Sequence, residues 1–322
     1  MAWPIRWSDI VAARERIRPF LSPSPVYAYD TLDAEVGIRV HVKHENHLPT
    51  GAFKVRNNLS AVTALSEEQR RRGLVAATRG NHGLGLAWAG RALGAKVTIC
   101  VPLGNNPEKN AGILGLGAEL VESGRDYDES VEVAQRLVRE RGLSMVHSTN
   151  EAQVIAGAGT LAAELLEQAP ELDALVIAVG GGSQAVGALV AARELRPGLR
   201  VYGVQAERAS AIHDSWHRGT ATPAARADTF ADGLATRGVY EMTFDALREG
   251  LAGFVTVSEA ELAEAMRLYL RHTHNLSEGA GAAGLAGLVK LRRELAGKRV
   301  GVVLSGGNVD LATLRRVVNR EL

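Results

Sequence analysis

Lys54 closes the run Pro49-Thr50-Gly51-Ala52-Phe53-Lys54 and opens an amphipathic segment that continues to Leu65. A cation at a helix N-terminus opposes the helix dipole, so the position suits a neutral or Schiff-base nitrogen better than an ammonium. Lysine is used sparingly: Lys43, Lys54, Lys96, Lys109, Lys290 and Lys298 are the only lysines among 37 basic side chains. Lys54 is therefore the candidate covalent anchor of a cofactor. The plain alternative is a surface lysine that starts a helix.

Three glycine loops could surround such an anchor. The apolar run 174–179 empties into Gly180-Gly181-Gly182-Ser183-Gln184 and then a helical segment. Adjacent glycines let backbone approach a ligand closely, and amides at a helix start point at an anion, so a phosphate is the natural occupant. A dinucleotide loop would space its glycines as G-x-G-x-x-G with an acid about twenty residues on. That leaves a nucleotide-binding oxidoreductase as a weaker reading, beside a tight turn without a ligand. The second loop, Thr78-Arg79-Gly80-Asn81-His82, again joins a strand to a helix and offers amides and side chains to a substrate carboxylate. His82 taken alone reads as a hydrogen-bonded structural histidine. The third, Ser305-Gly306-Gly307-Asn308, follows a strand and is expected to open the last helix. In open α/β sheets ligands gather at the carboxyl ends of strands, so the three loops converge on one crevice.

The elements that position these loops follow from periodicity. Strand-length apolar runs at 39–43, 74–77, 96–101, 118–121, 174–179, 201–204 and 299–304 alternate with helical patterns at 126–140, 152–167, 184–195, 259–272 and 282–295. That alternation predicts an α/β fold with mostly parallel sheet flanked by helices. Gly94, Gly117 and Gly142 stand where left-handed caps are useful. Residues 220–235 lack a period and read as a long loop.

With 322 residues the chain can build two cores, and a formal charge of +1 spread evenly gives no footprint for nucleic acid or an anionic membrane. A small-molecule partner is expected instead. The N-terminus lacks a signal peptide's basic head and apolar core, and no apolar run reaches bilayer length, so a cytoplasmic protein is expected. The single cysteine, Cys100, excludes an internal disulfide and any multi-cysteine metal site.

Taken in order, these blocks resemble the serine/threonine dehydratase group of fold-type II pyridoxal-phosphate (PLP) enzymes, which includes serine racemase and phenylserine dehydratase. The likeness spans nearly the whole chain: Lys43-His44-Glu45 leading to 49–54, then Thr78 to His82, Ile155-Ala156-Gly157-Ala158-Gly159-Thr160, Val179 to Gln184, and Ser305 to Asn308. Glu278-Gly279-Ala280-Gly281-Ala282 matches a family Glu-Pro-Ala-Gly-Ala with its proline replaced. The resemblance implies a tryptophan-synthase-β-like fold: a large PLP-binding domain from residues 1–69 and 151–322, and a small mobile domain from 70–150 that closes over the substrate. It implies that Lys54 carries pyridoxal 5'-phosphate and shuttles the α-proton, that Phe53 packs by the ring and Asn81 bonds the ring's 3-oxygen. Gly180, Gly181, Gly182, Ser183 and Gln184 hold the phosphate, and Ser305 faces the pyridine nitrogen. Thr78, Arg79, Gly80, Asn81 and His82 bind the substrate. A hydroxyl partner does not enforce ring protonation, and a neutral pyridine is a weaker electron sink, which favours elimination over transamination. The implied activity is dehydration of a β-hydroxy-α-amino acid of the threonine or serine type, or a bulkier one such as phenylserine, to a 2-oxo acid and ammonia. A homodimer is expected on the resemblance alone.

The departures carry information. Relatives usually have serine where Arg79 stands, and in the racemase that serine is an acid/base. Arginine stays protonated, so racemisation, the alternative activity, is disfavoured and selectivity is expected to turn on Arg79, which can clamp a carboxylate or stack on an aromatic group. A divalent-cation site of some relatives falls on Gln205, Ala209 and Ala211, which lack its carboxylates, so no metal is expected there. Thr149-Asn150-Glu151 replaces a pair of aspartates and is expected to reshape an inter-subunit contact or the cleft wall.

Overall fold

Apolar runs flanked by turn residues become the strands of two sheets in the computed structural model, which describes residues 3–125 and 127–322. The strands are β1 (Val26–Ala28), β2 (Arg39–His44), β3 (Leu74–Ala77), β4 (Val97–Val101), β5 (Glu119–Glu122), β6 (Ser144–Met145), β7 (Ala174–Ala178), β8 (Arg200–Ala206), β9 (Gly253–Val257) and β10 (Arg299–Leu304). One sheet runs β1-β2-β10-β7-β8-β9 and the other β5-β4-β3-β6. All pairings are parallel except that of β1 with β2. Every residue of β3, β4 and β7 is buried, as a strand covered by helices on both faces requires.

The three loops leave the carboxyl ends of β3, β7 and β10, and register brings the Lys54 turn to the last of them. β10 pairs with β2 from Arg299 opposite Arg39 to Leu304 opposite His44, so both strands end at one level. The chains beyond are then stitched together: Phe53 N donates to Ser305 O (2.9 Å), Gly307 N to Gly51 O (2.9 Å), and Ala52 bridges Gly306. Gly51 sits at φ +67°, which only glycine adopts without strain, and this turn aims the next residues into the helix Lys54–Ala64.

That helix lies between the two halves of the molecule, buried from Val55 to Val62, and packs against the helices Asn81–Ala92 and Ala152–Gln168. Glycines permit the approach. A Cβ on Gly85 would sit 2.9 Å from Lys54 O, and one on Gly157 2.6 Å from Arg56 O. Four buried charges fix its depth. Arg56 is held by Glu45 (Nε to Oε2, 2.7 Å) and Glu164 (Nη1 to Oε1, 2.7 Å), and Lys43 Nζ reaches Glu164 Oε2 at 2.8 Å.

β1, β6 and β9 escape the sequence reading; β1 and β6, three and two residues long, carry too few residues to show a period. The helical pattern at 126–140 becomes Tyr127–Arg141, its first residue Asp126 lying outside the described residues. The pattern at 282–295 forms Gly279–Lys290, its glycines tolerated by close packing: a Cβ on Gly287 would meet Val204 Cγ2 at 2.2 Å. The pattern at 259–272 is α-helical to Leu268 and ends in a π-turn, Tyr269–Thr273. Ser305 to Asn308 does not open the last helix. The loop continues to Asp310, whose carboxylate accepts from Thr313 N (2.8 Å) and starts the helix Leu311–Val318 there. Gly94, Gly117 and Gly142 are left-handed, at φ +68°, +86° and +67°. Among the described residues no helix is long and apolar enough to cross a membrane.

Arg56→Leu would leave Glu45 buried without a cation and Glu164 with Lys43 alone. The expected loss is about 3–5 kcal/mol of folding free energy, read by urea denaturation.

Candidate active site

A cleft opens between the sheets, and each site residue named from sequence lines it: Phe53, Lys54, Thr78, Arg79, Gly80, Asn81, His82, Gly180 to Gln184, and Ser305. Lys54 stands at its floor as the first residue of its helix. Nζ donates to Ser148 O at 2.8 Å and lies 5.1 Å from the centre of the Phe53 ring. Burial pushes its pKa down to about 8, so an appreciable share of the amine is neutral near pH 7.

The glycine loop after β7 is shaped by its neighbours. A Cβ on Gly180 would lie 2.3 Å from Gly233 O, and one on Gly181 2.5 Å from Thr149 Oγ1, while Gly182 is at φ +103°. Thr243 Oγ1 donates to Gly181 O (2.8 Å) and holds the turn open. The helix Ser183–Leu195 has no side-chain cap, and the amides of 180–184 find no acceptor among the described residues. Gln184 Nε2 is likewise buried without a partner. A row of unsatisfied donors at a helix N-terminus fits a phosphate, and buried orphan donors otherwise carry a penalty of about 1–3 kcal/mol each.

The Asn81 loop faces it. Thr78 Oγ1 accepts from Gly80 N (3.0 Å), and Asn81 begins the helix Asn81–Ala92. Asn81 donates through Nδ2 to Glu278, and its Oδ1 accepts from Asn308 Nδ2 (2.8 Å). His82 lines the cleft yet its Nε2 meets Val146 O at 3.0 Å, and burial, with the Lys54 charge adding, pushes its pKa down to about 3. It is a neutral structural ring. Arg79 is half-buried with Nε shielded and unpartnered, and it also lines an adjoining chamber with Tyr127, Arg226, Arg237 and Tyr240. Thr149 forms cleft wall against Gly181. Gln205 Oε1 accepts from His213 N (3.0 Å).

Sequence reasoning assigned no role to Lys109, Tyr127, Ser148, Asp232, Tyr240 or Glu278, which also line the cleft. Two signals were available: Asp232 sits in the long loop 220–235, and Glu278 heads the Glu-Gly-Ala-Gly block. Tyr127 meets Ser148 Oγ at 3.1 Å, so a helix that follows β5 steadies the residue whose carbonyl receives Lys54.

Residues 17–306 match the family model described as "Pyridoxal-phosphate dependent enzyme". The chain belongs to that family. It is 36% identical over 305 residues to an L-threo-3-hydroxyaspartate ammonia-lyase of Pseudomonas sp, covering 95% of this chain and 96% of the relative. It is 36% identical over 319 residues to an L-threonine ammonia-lyase of Thermotoga maritima, covering 99% and 79%. The crystal structure of a T.th. threonine deaminase superposes with a TM-score of 0.90 at 36% identity, covering 95% of this chain and 99% of that one. Pyridoxal phosphate is thus the cofactor and the fold is fold-type II, which removes the reading as a nucleotide-binding oxidoreductase. The orphan donors of 180–184 and the desolvated Lys54 amine suit that cofactor.

In the apoenzyme, 13C reductive methylation followed by NMR titration should give Lys54 a midpoint near pH 8, distinct from surface lysines near 10.5.

Proposed function

We propose that the protein eliminates water from a β-hydroxy-α-amino acid and releases a 2-oxo acid and ammonia, acting as a PLP-dependent carbon–oxygen lyase. The observation that carries the reading is the pairing, in one cleft, of a desolvated lysine amine with a backbone-amide cradle built for a phosphate.

Lys54 would anchor the cofactor covalently, Gly180, Gly181, Gly182, Ser183 and Gln184 would hold its phosphate, and Phe53, Asn81 and Ser305 would contact its ring. When bound, the cofactor supplies the electron sink that makes the substrate's α-proton acidic. The residues do the rest. The Thr78 hydroxyl and the backbone amides of Asn81 and His82, at the start of a helix, receive the α-carboxylate. Lys54 in its neutral form takes the α-proton, and its bond to Ser148 O keeps the amine on one side of the cleft. Loss of the β-hydroxyl and hydrolysis of the nitrogen-bearing product complete the net reaction. Ser305, a neutral hydroxyl, leaves the ring nitrogen free of an enforced proton, which favours prompt elimination.

Residues 70–150 act as a small domain closing on a large one built from 1–69 and 151–322. The four-stranded sheet lies wholly within the first segment and the six-stranded sheet wholly outside it, which supports that division. Closure excludes water from Lys54. The protein works as a homodimer in this reading, on the family resemblance.

Threonine and serine are the default substrates, and Arg79 sets the preference among β-substituents. Its unpartnered guanidinium stands where the cleft meets the chamber walled by Tyr127 and Tyr240, so a carboxylate or an aryl group there would be favoured over a methyl.

Two experiments test these roles. Borohydride reduction of the holoenzyme should leave the label on Lys54, and Lys54→Ala should lower kcat by about 10³-fold or more in an oxo-acid release assay. Arg79→Ser should change the ratio of kcat/KM values across threonine, serine, phenylserine and 3-hydroxyaspartate by about tenfold. An unaltered ratio would remove Arg79 from substrate selection.

A further inference from the structure

A chain of polar contacts crosses the cleft from the side of one sheet to the other. Lys109, in the helix Pro107–Gly115 between β4 and β5, places Nζ 2.7 Å from Asp232 Oδ2 and 3.6 Å from Glu278 Oε2. The other oxygen of Glu278 accepts from Asn81 Nδ2. Asn81 Oδ1 accepts from Asn308 Nδ2 at 2.8 Å, and Asn308 Nδ2 also donates to Thr50 O at 2.8 Å. Two glycines leave room for the chain: a Cβ on Gly80 would lie 2.5 Å from Lys109 Cδ, and one on Gly306 2.5 Å from Glu278 Oε1.

The two amides are oriented by this chain. Asn308 spends both N–H bonds, on Thr50 and Asn81, so the atom of Asn81 that faces it must be the carbonyl oxygen. Asn81 then gives one N–H to Glu278 and keeps one for the cleft. An ionised Glu278 can only accept, which suits that N–H. Its side chain is 7% exposed, and burial raises its pKa against the pull of Lys109. A protonated Glu278 could turn its O–H toward Asn81 and set donor against donor, loosening the Asn81 amide that Asn308 holds from the other side. Lys109 resists this: burial disfavours its own charge, but Glu278 and Asp232 together outweigh burial and raise its pKa.

We propose that Lys109 is the positioning residue of the Asn81 loop: its ammonium, shared between Asp232 and Glu278, keeps Glu278 an acceptor and thereby directs the remaining Asn81 N–H at the bound cofactor. The proposal rests on the reading of Asn81 as a cofactor contact. It gives Lys109 no contact with the reacting atoms. It also makes the pair with Asp232 a clasp between the two sheets, since Asp232 follows β8 and Lys109 follows β4.

The test is the dissociation constant of pyridoxal phosphate from the full-length apoenzyme, measured by ultrafiltration at pH 6.5 and 8.5. Lys109→Met should weaken binding by about tenfold, the loss of a charged partner to a buried group, and more at the lower pH, because burial already raises the Glu278 pKa and the variant lacks the cation that opposes it. Lys109→Arg, which keeps the charge, should lose less. Adding Glu278→Gln to Lys109→Met should recover most of the affinity and flatten its pH dependence, because an amide oxygen accepts at either pH. A merely structural lysine would give losses that multiply, with no recovery, and that result overturns the proposal. So does a Lys109→Met protein that binds as the wild type does. If Lys109→Met does not fold, Lys109→Gln replaces it and the same comparisons decide. Asn81→Ala separates the two levels. Unchanged affinity in that variant would sink the cofactor role of Asn81 and the proposal with it, whereas weakened binding there beside wild-type binding in Lys109→Met would sink the Lys109 role alone.

Discussion

Arg56, clamped between Glu45 and Glu164, is the interaction on which the rest of the cleft depends. It joins the segment after β2, the Lys54 helix and the helix Ala152–Gln168, and Lys43 closes the set from β2 itself. A buried ion group of this kind is weak evidence for net stability, yet its geometry is unforgiving because each charge depends on the others. Two cations and two anions sum to zero. The quartet can therefore fix the helix two residues from Lys54 without biasing the Lys54 proton, and burial is the sole cause of the depressed Lys54 pKa. Position and proton affinity are set by separate devices.

The same separation runs through the cleft walls. Anion recognition falls to backbone amides, which carry no titratable proton, at the starts of the helices Ser183–Leu195 and Asn81–Ala92. Full charges near the cleft are mostly tied to one another, as in Lys109 with Asp232 and Glu278. Among the described residues Arg79 Nε makes no such bond. A site whose fixed parts are neutral can place one unpaired cation where substrates differ.

Much of this was legible in the sequence. Strands β3 and β10 appear at the residues their apolar runs mark, and the three glycine loops do meet around Lys54. The loops were readable because close backbone approach demands glycine, a requirement that acts locally on sequence. What escaped depends on contacts distant along the chain. Lys109 gives no local sign of its role, which comes from Asp232 and Glu278 far away in sequence. The two-residue strand β6 exists only because β3 lies beside it. The last helix was placed too early because Ser305 to Asn308 pairs across to the Lys54 turn, a tertiary demand that overrode the glycine-to-helix pattern seen twice before. His82 was open to two readings, and only the carbonyl of Val146 in a dry setting decides for structure over chemistry.

The crowding around Gly180 and Gly181 has an evolutionary edge. The three glycine positions of the cradle, each already touched by a neighbouring carbonyl or threonine, leave no room for a side chain through which selection could tune them. Divergence toward new substrates would then be channelled to the opposite rim, where the side chain of Arg79 stands. Drift in such a lineage should leave one wall of the cleft almost silent while the other records its metabolic history.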